Sequence, residues 1–470
     1  DVIARVLGFE GHDVIRQNHV GDWGTQFGML IVFYGDRPVP SSATHDDPLA
    51  VMADDYRAAQ ERFKSDEAFA NEARAAVGRL QSGDEQARGV WRKICEESRK
   101  SFTDIYGRLN VLLEDADVCG ESFYNERLSP VIEALSEKLP PGPGSGSAAE
   151  LREHDGALCV YCYDEKGAPR FKKADGQELP MIVRKSDGAF LYATTDMAAI
   201  RYRIEELGAR RIIYVTDARQ KLHFEMFFAA ARAMGWLAGD VLLKHVTFGS
   251  VLGENRRPLK TREGANISLS DLLDEAVKRA YQVFDRRNDG DDKPESKRPE
   301  LPEAEKREIA RRVGIAAVKY ADLSHDRNKD YVFDWNRMLA MQGNTAPYMM
   351  YAYARIRSIY RKAAEQFGAP DVYAADVAIN LDEDAERALA LRLARFREMI
   401  DGVASDLAAH TLCGYLFETA SDFMRFYEAC PVLKAADEAT RLRRMRLCDL
   451  TARTLRLGLA LLGIEVIERM

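Results

Sequence analysis

The segment from Gly188 to Trp236 constrains the fold more than any other part of the chain. Its beginning, Ala189 to Ala193, alternates in polarity and carries aromatic residues, as strands do. Thr194 and Thr195 then offer an N-cap to a helical pattern that ends at Gly208. The sequence therefore predicts a strand followed by a helix.

The same order is repeated immediately downstream. Arg211 to Thr216 is a short β-branched run of the kind buried in parallel sheets, and Leu222 to Met234 has the pattern of an apolar helix. Two strand–helix pairs in succession predict an α/β fold built on a doubly wound parallel sheet. Ligands of such sheets bind beyond the carboxyl ends of the strands. We therefore expect residues 192–196 and 217–220 to line one crevice.

Three side chains of that crevice suit a guanidinium ion. A guanidinium has five N–H donors and no acceptor, so its pocket needs a carboxylate and neutral oxygens. Asp196 would supply the carboxylate, and Tyr192 and Gln220 would supply the neutral oxygens. Each residue also has a structural interpretation: a first-turn carboxylate on a helix dipole, a strand aromatic and a solvated loop amide.

A second strand-end loop precedes this unit. His12 to Val20 is predicted to be a strand leading into the glycine-rich turn at 21–24, and Gln26 to Tyr34 the next helix. His19 and Asp22 place polar groups in that loop. On its own pattern the loop is as consistent with an ordinary turn as with a binding site.

Further along, the segment from Val246 to Gly264 brackets a cationic loop between glycines. Arg256, Arg257, Lys260 and Arg262 lie in it, which fits stabilisation of a triphosphate transition state. The alternative is a solvated basic hairpin.

The composition bounds the class of protein. The chain has 470 residues, 46% apolar and 30% charged, with no apolar run long enough to span a bilayer. A formal charge of −8 argues against a surface coated uniformly for nucleic acid but allows a local basic patch. We expect a cytoplasmic protein without structural zinc.

Residues 38–180 interrupt the α/β alternation, and residues 344–470 are helical throughout. The interruption has helical patterns at 47–77, 84–110 and 121–138 and strand patterns at 157–163 and 169–172. The C-terminal part has helical patterns at 347–363, 385–400, 411–428 and 439–462. This organisation predicts one domain at 1–343, interrupted by an insertion at about 38–180, and a helical bundle at 344–470.

Two groups of side chains in the bundle could contact nucleic acid. They are the tyrosines Tyr348, Tyr351 and Tyr353 and the arginines Arg441, Arg443, Arg444 and Arg446. Helix packing and a solvated helix face are the structural alternatives.

Several motifs together resemble arginyl-tRNA synthetases, which are class I synthetases. The motifs are N-H-V-G-D-W-G-T-Q-F-G, L-Y-A-T-T-D, D-A-R-Q, K-Y-A-D-L, N-T-A-P-Y-M-M-Y-A-Y-A-R and the terminal L-L-G-I-E-V-I-E-R-M. The resemblance implies a Rossmann-like catalytic domain with a connective insertion and a helical anticodon-binding domain. It assigns the arginine side chain to Tyr192, Asp196 and Gln220.

The resemblance assigns other residues to ATP and to tRNA. ATP would contact His19, Asp217, His223 and Lys260. Lys260, Thr261 and Arg262 fall where the family carries its catalytic K-M-S-K-S signature, although this sequence departs from that consensus. Tyr348, Tyr351 and Met470 would lie near the anticodon loop.

The implied reaction activates L-arginine with ATP, accompanied by Mg²⁺, and transfers it to tRNA(Arg). No membrane or DNA partner and no protein metal site are expected. The H-I-G-H signature does not occur in these 470 residues, so we expect the chain alone to lack ATP–pyrophosphate exchange. The alternatives are a non-catalytic tRNA-binding module and a class I synthetase for another amino acid, lysine above all.

Overall fold

The computed structural model of the protein describes residues 1–35, 37–45, 47–142, 146–237, 239–253, 256–257, 268–289, 301–368, 371–373 and 380–470. The chain forms two compact units. One, here the sheet unit, comprises Arg16–Asp104 and Leu113–Phe248. The other, here the bundle unit, comprises Asp1–Ile15, Ile105–Leu112 and Gly249–Met470.

The helices, in chain order, are α1 (Val2–Phe9), α2 (Thr25–Tyr34), α3 (Pro48–Ser65), α4 (Glu67–Ser82), α5 (Glu85–Arg108), α6 (Asn125–Lys138), α7 (Tyr192–Glu205), α8 (Lys221–Ala233), α9 (Leu269–Asp289), α10 (Glu303–Leu323), α11 (Trp335–Met338), α12 (Ala346–Phe367), α13 (Asp384–Ala394), α14 (Phe396–Asp406), α15 (Ala409–Ala429) and α16 (Glu438–Leu461). The strands are β1 (Ala149–His154), β2 (Ala157–Cys162), β3 (Met181–Arg184), β4 (Arg211–Asp217), β5 (Leu242–Phe248), β6 (Val251–Leu252) and β7 (Tyr331–Val332). Short 3₁₀ helices occur at Asp115–Asp117, Glu121–Tyr124 and Ala218–Gln220.

The sheet unit contains a parallel pair of strands, of which the sequence predicts one, β4. β4 pairs with β5 in parallel register from Arg211 opposite Leu242 to Asp217 opposite Phe248. Tyr214 of β4 packs against Phe224 and other aromatic residues of α8, with ring centroids 5.1 Å apart. The aromatic layer between α8 and β4 fixes the orientation of the first turn of α8 relative to the end of β4. The α7–β4–α8–β5 order is the half of a doubly wound fold that the pattern indicates.

The prediction of a strand at residues 189–193 is wrong. Residues 189–191 return from a tight turn after β3, with an isolated bridge from Phe190 to Arg184, and α7 already begins at Tyr192. Leu191 is its N-cap residue, and Thr194 lies inside the first turn, where its buried hydroxyl donates to the carbonyl of Val183. The threonines therefore anchor the helix to β3 instead of capping it.

The predicted strand at residues 12–20 is also wrong, because only Asn18 makes a β-bridge there, to Val118. The helical predictions mostly hold but miss two breaks. Asp66 is extended and caps α4 through the amide of Phe69, which separates α3 from α4. Arg395 likewise separates α13 from α14.

The sheet unit also carries a three-stranded antiparallel sheet in the order β1-β2-β3, whose third strand lies just beyond the predicted insertion. Cys159 and Cys162 lie three positions apart on β2, so their side chains leave opposite faces of the sheet. Both thiols are free, and burial raises their pKa values, to about 11 for Cys162. The geometry of the strand thus keeps this pair from chelating a common metal.

In the bundle unit, α12, α13, α15 and α16 pack around a common core. Thr345 caps α12 by accepting a hydrogen bond from the amide of Tyr348, and Asp437 caps α16 through Thr440. Phe423 and Phe426 of α15 are fully buried. The predicted all-helical organisation after residue 344 is thereby seen in the described residues.

Four arginines of α16 contact neighbouring parts of the bundle unit, and the nucleic-acid interpretation of this run stays a prediction. Arg441 stacks on Phe367 and pairs with Glu438; Arg443 pairs with Asp382; Arg444 pairs with Glu386; and Arg446 donates to the carbonyl of Val372. Their side chains are committed to neighbouring elements of the bundle.

The Arg444–Glu386 pair is the most buried of these contacts. Glu386 is 1% exposed, and its Oε1 accepts from Arg444 Nε at 2.7 Å. Its Oε2 accepts from the amides of Asp382 and Glu383 at 2.9 and 3.2 Å. Burial alone would raise the pKa of Glu386, but the Arg444 and amide hydrogen bonds outweigh it and lower the pKa.

We predict that Glu386→Gln lowers the free energy of unfolding by about 3 kcal/mol, because it removes one partner of a buried ion pair. Since the folded-state pKa is below the unfolded one, this contribution is present at neutral pH and is lost as the pH falls through the lowered pKa. Urea unfolding at neutral pH and at a pH of about 3 would measure both effects. The exposed Glu438→Gln is the control, and equal losses in the two variants would contradict the prediction.

Candidate active site

The start of α7 carries two of the three residues predicted to bind the arginine side chain. Thr194, Thr195 and Met197 are buried against the sheet unit's core, so the opposite side of the turn faces outward. Tyr192 is 60% exposed there, and Asp196 follows one turn later. The two side chains therefore project from a helix N-terminus and not, as the sequence predicted, from a strand end.

His223 on α8 holds the carboxylate of Asp196. Its Nε2 lies 2.6 Å from Asp196 Oδ2, and the two side chains are 18% and 15% exposed. The Tyr192 ring packs edge-on against the His223 ring, with centroids 4.7 Å apart. The hydrogen bond to His223 fixes Oδ2 of Asp196, and the second carboxylate oxygen, Oδ1, points away from His223. The sequence assigned His223 to ATP, whereas the structure places it beside Asp196 and Tyr192.

Glu121 is a site residue that the sequence reasoning missed. The pattern placed it at the start of an amphipathic helix, whereas it begins the 3₁₀ turn before α6. Burial and the negative charges of Asp22 and Asp196 raise the pKa of Glu121 to about 7. One glutamate in a short turn has no periodic signal, so only the folded structure brings it into the electrostatic field of Asp196.

Asp22 has a structural task in this arrangement. Its Oδ1 accepts from the amide of Ser122 at 2.8 Å, and its Oδ2 accepts from the Ser122 hydroxyl at 2.6 Å. A Cβ at Gly120 would meet the Asp22 carboxylate at 2.5 Å, so a larger residue there would push that carboxylate out of its place. Asp22 thus ties the glycine-rich loop to the turn that carries Glu121.

Two further ionisable side chains, His19 and the buried Arg203, interact electrostatically with Asp196. Burial lowers the pKa of His19, and Arg203 adds to this, while Asp196 and Asp22 act in the opposite direction. Arg203 Nε donates to Gln17 Oε1 at 2.6 Å, and its guanidinium lies over the Tyr214 ring at 5.0 Å. The neutral form of His19 is favoured, which leaves one ring nitrogen able to accept a hydrogen bond.

Asp217 and Gln220 lie at the carboxyl end of β4 and on the turn into α8. Arg219 donates to both oxygens of Asp217 at 2.9 and 2.8 Å, and these bonds lower the pKa of Asp217. Gln220 is exposed on the 3₁₀ turn, three residues before His223. The grouping of Asp217 and Gln220 with Tyr192 and Asp196 in one crevice stays a prediction.

The basic segment is described only in part. Arg256 and Arg257 are described, and Arg256 has a positive φ of 55°. The predicted catalytic residues Lys260, Thr261 and Arg262 lie outside the described residues. Their roles stay predictions.

Family models match both parts of this chain. One, described as tRNA synthetases class I (R), catalytic domain, matches residues 1–335. Another, described as DALR anticodon binding domain, matches residues 349–470. The chain belongs to the class I arginyl-tRNA synthetases.

Relatives and solved structures agree with this membership. The arginine–tRNA ligases of Stutzerimonas stutzeri and of a Synechococcus species are 46% and 47% identical over all of this chain, which covers 75% and 76% of those proteins. The arginyl-tRNA synthetase structure from Plasmodium falciparum is 29% identical with a TM-score of 0.77, over 100% of this chain and 72% of that one. The Thermus thermophilus structure shares the fold, with a TM-score of 0.77 at 24% identity over 100% of this chain and 78% of that one.

Membership in the arginyl-tRNA synthetases confirms the predicted fold class, a class I catalytic domain followed by a helical anticodon-binding domain. The activity of the protein is that of an arginine–tRNA ligase. No helix in the described part of the chain is both long and apolar enough to cross a membrane.

The family implies ATP, usually together with Mg²⁺. Across the described ranges, no three His, Cys, Asp or Glu side chains are grouped as metal ligands.

In the anticodon-binding domain, Tyr348 and Tyr351 of α12 are half-buried. Arg355 Nη1 donates to the Tyr351 hydroxyl at 2.7 Å, and its guanidinium lies 4.5 Å from the ring centre of Tyr427 on α15. The approach of Tyr427 to Arg355 has no signal in the sequence, because Tyr427 lies on α15 and Arg355 on α12. Tyr353 is buried and cannot stack on a base, which corrects its assignment as a third stacking tyrosine.

Proposed function

We propose that the first turn of α7 and the turn carrying Glu121 form the receptor for the arginine side chain. The observation that carries the proposal is the arrangement at the start of α7, where His223 Nε2 lies 2.6 Å from Asp196 Oδ2 and the Tyr192 ring packs against the His223 ring at 4.7 Å. Burial and the charges of Asp22 and Asp196, which raise the pKa of Glu121, support it. Two carboxyl groups in one partly dry site destabilise each other unless a cation lies between them. A guanidinium supplies that cation and enough donors for both carboxylates.

The remaining polar groups then orient the substrate. His223 fixes the carboxylate of Asp196, and the exposed Tyr192 beside it can accept a further guanidinium N–H. Gln220 on the opposite side of the crevice is available to the main-chain end of the amino acid. A lysine ammonium is a compact point charge and fits a pair of spaced carboxylates less well than the planar fork of arginine.

Catalysis in this proposal needs no covalent enzyme intermediate. The arginine carboxylate attacks the α-phosphorus of ATP and pyrophosphate leaves; a terminal ribose hydroxyl of tRNA(Arg) then attacks the arginyl carbonyl and AMP leaves. The protein contributes positioning and charge stabilisation. The nucleotide is proposed to be bound and activated by Lys260, Thr261, Arg262, His19 and Asp217. The cytoplasm is the proposed compartment.

We further propose that Tyr348, Tyr351 and Met470 contact the anticodon loop of tRNA(Arg). The match of residues 349–470 to an anticodon-binding domain supports this role. The Tyr351–Arg355–Tyr427 stack offers ring and guanidinium faces of the kind that unpaired bases stack on.

Asp196→Asn should cost about 3–5 kcal/mol in kcat/KM for arginine, because the variant keeps an acceptor for His223 but leaves the guanidinium without its carboxylate. The KM for ATP should change little. The natural protein should reject citrulline, whose side chain is neutral. The substitution should lower kcat/KM for citrulline much less than it lowers kcat/KM for arginine.

Arginine and citrulline activation by the natural protein and by Asp196→Asn would measure this. Asp240→Asn is the matched control, since Asp240 is an exposed carboxylate paired with Arg210 in the same unit. A loss below about tenfold for arginine would return Asp196 to the role of a helix first-turn carboxylate.

Tyr351→Ala and Tyr348→Ala should each weaken tRNA(Arg) binding by about tenfold or more, since stacking contributes about 1–3 kcal/mol per base. Tyr351→Phe keeps the ring and loses only the contact with Arg355, so its loss should be smaller. Filter binding of tRNA, with ATP binding as the reference, checks both. Unchanged affinity in both alanine variants would make these tyrosines packing residues.

A further inference from the structure

The end of the chain, residues 464–470, is attached to the bundle unit in two different ways. Its first part is held by apolar burial, since Ile464 and Ile467 are 3% and 4% exposed. The last three residues are exposed or half-buried and have no such anchor. A segment of this kind is mobile unless specific contacts hold it.

Glu468 makes three contacts with one stripe of α12. The hydroxyl of Tyr353 donates to Glu468 Oε1 at 2.9 Å, and Arg357 Nε donates to Oε2 at 2.7 Å. Arg361 Nη1 donates to the Glu468 carbonyl at 3.0 Å. These donors are four residues apart, so they lie on one face of the helix and hold both the side chain and the backbone of Glu468.

The ionised form of Glu468 makes these contacts. Burial would raise the pKa of Glu468, but hydrogen bonds from Arg357 and Tyr353 lower it below its usual value. The Tyr353 ring is buried in the bundle, so its hydroxyl is a fixed donor. The acceptor is therefore charged at neutral pH, and the hydrogen bonds are charge-assisted.

These contacts matter little for the stability of the bundle. Glu468 and Arg357 are 58% and 39% exposed, and ion pairs with such exposure contribute little to folding. Their main physical effect is to reduce the conformational freedom of the two residues that follow, Arg469 and Met470. The tail is fixed to α12, the helix that also carries Tyr348 and Tyr351.

We propose that Glu468 is a positioning residue for tRNA binding: it fastens the C-terminal tail to α12 and so holds Met470 ready for the anticodon loop. The proposal rests on the proposed contact of Met470 with tRNA. It also explains why α12 aligns Tyr353, Arg357 and Arg361 along the tail.

A double-mutant cycle on the full-length protein tests this role. The variants are Glu468→Gln, Met470→Ala and the double variant, and the probe is an unmodified tRNA(Arg) transcript. Glu465→Gln is the matched control, because Glu465 is an exposed carboxylate of the same tail that faces Arg312 and not α12. Tyr353→Phe removes one hydrogen bond to Glu468 while keeping the buried ring.

Glu468→Gln should weaken tRNA binding roughly three- to tenfold, Tyr353→Phe somewhat less, and Glu465→Gln not at all. The double variant should bind no more weakly than Met470→Ala, since a residue that acts through Met470 adds nothing once Met470 is gone. Arginine and ATP binding and the thermal midpoint should stay at the natural values.

Two results overturn the proposal in distinguishable ways. If Met470→Ala binds tRNA normally, the proposed tRNA contact of Met470 is wrong and the positioning role falls with it. If Met470→Ala weakens binding while Glu468→Gln is neutral, binds more tightly or adds its full loss to that of Met470→Ala, only the positioning role is wrong.

Discussion

The central constraint in this protein is the repulsion between carboxyl groups at the N-terminal end of α7. Asp196 is fixed by His223, and Glu121 is brought into its field by a turn that Asp22 ties down. Burial and the charges of Asp22 and Asp196 disfavour the ionised form of Glu121, even though the buried Arg203 also interacts with Asp196. The surrounding fold keeps the carboxyl groups in place: Thr194 binds α7 to β3, and the aromatic layer of α8 binds His223 to the sheet.

Part of this arrangement could be predicted from the sequence. Long periodic patterns specify α8, β4 and the helices of the bundle, because burial of one face leaves a regular spacing of apolar residues. Donor counting and their places near element ends mark Tyr192, Asp196 and Gln220 as a predicted guanidinium set, and the structure places Asp196 and Tyr192 together beside His223. Short segments were less predictable: residues 189–193 alternate like a strand, yet Tyr192 starts a helix because Thr194 hydrogen-bonds to β3.

Glu121 shows a different limit. No pattern marks it, since its role comes from the approach of Asp22 and Asp196, which are remote in sequence. The arginine run of α16 shows the converse limit, because the sequence shows four cations but not the groups with which they pair. Glu386 and Asp382 lie some sixty residues away and neutralise two of them. Charge patterns thus indicate function only after intramolecular partners have been counted.

The central claim is that arginine binds by ionising Glu121 beside Asp196. Isothermal titration calorimetry of arginine binding near pH 7, in buffers that differ in ionisation enthalpy, tests it most directly by counting protons. Because burial and the charges of Asp22 and Asp196 raise the pKa of Glu121 and a guanidinium lowers it, arginine binding should release protons, and Glu121→Gln should abolish that release. Binding of arginine to the natural protein without any proton release would contradict the account.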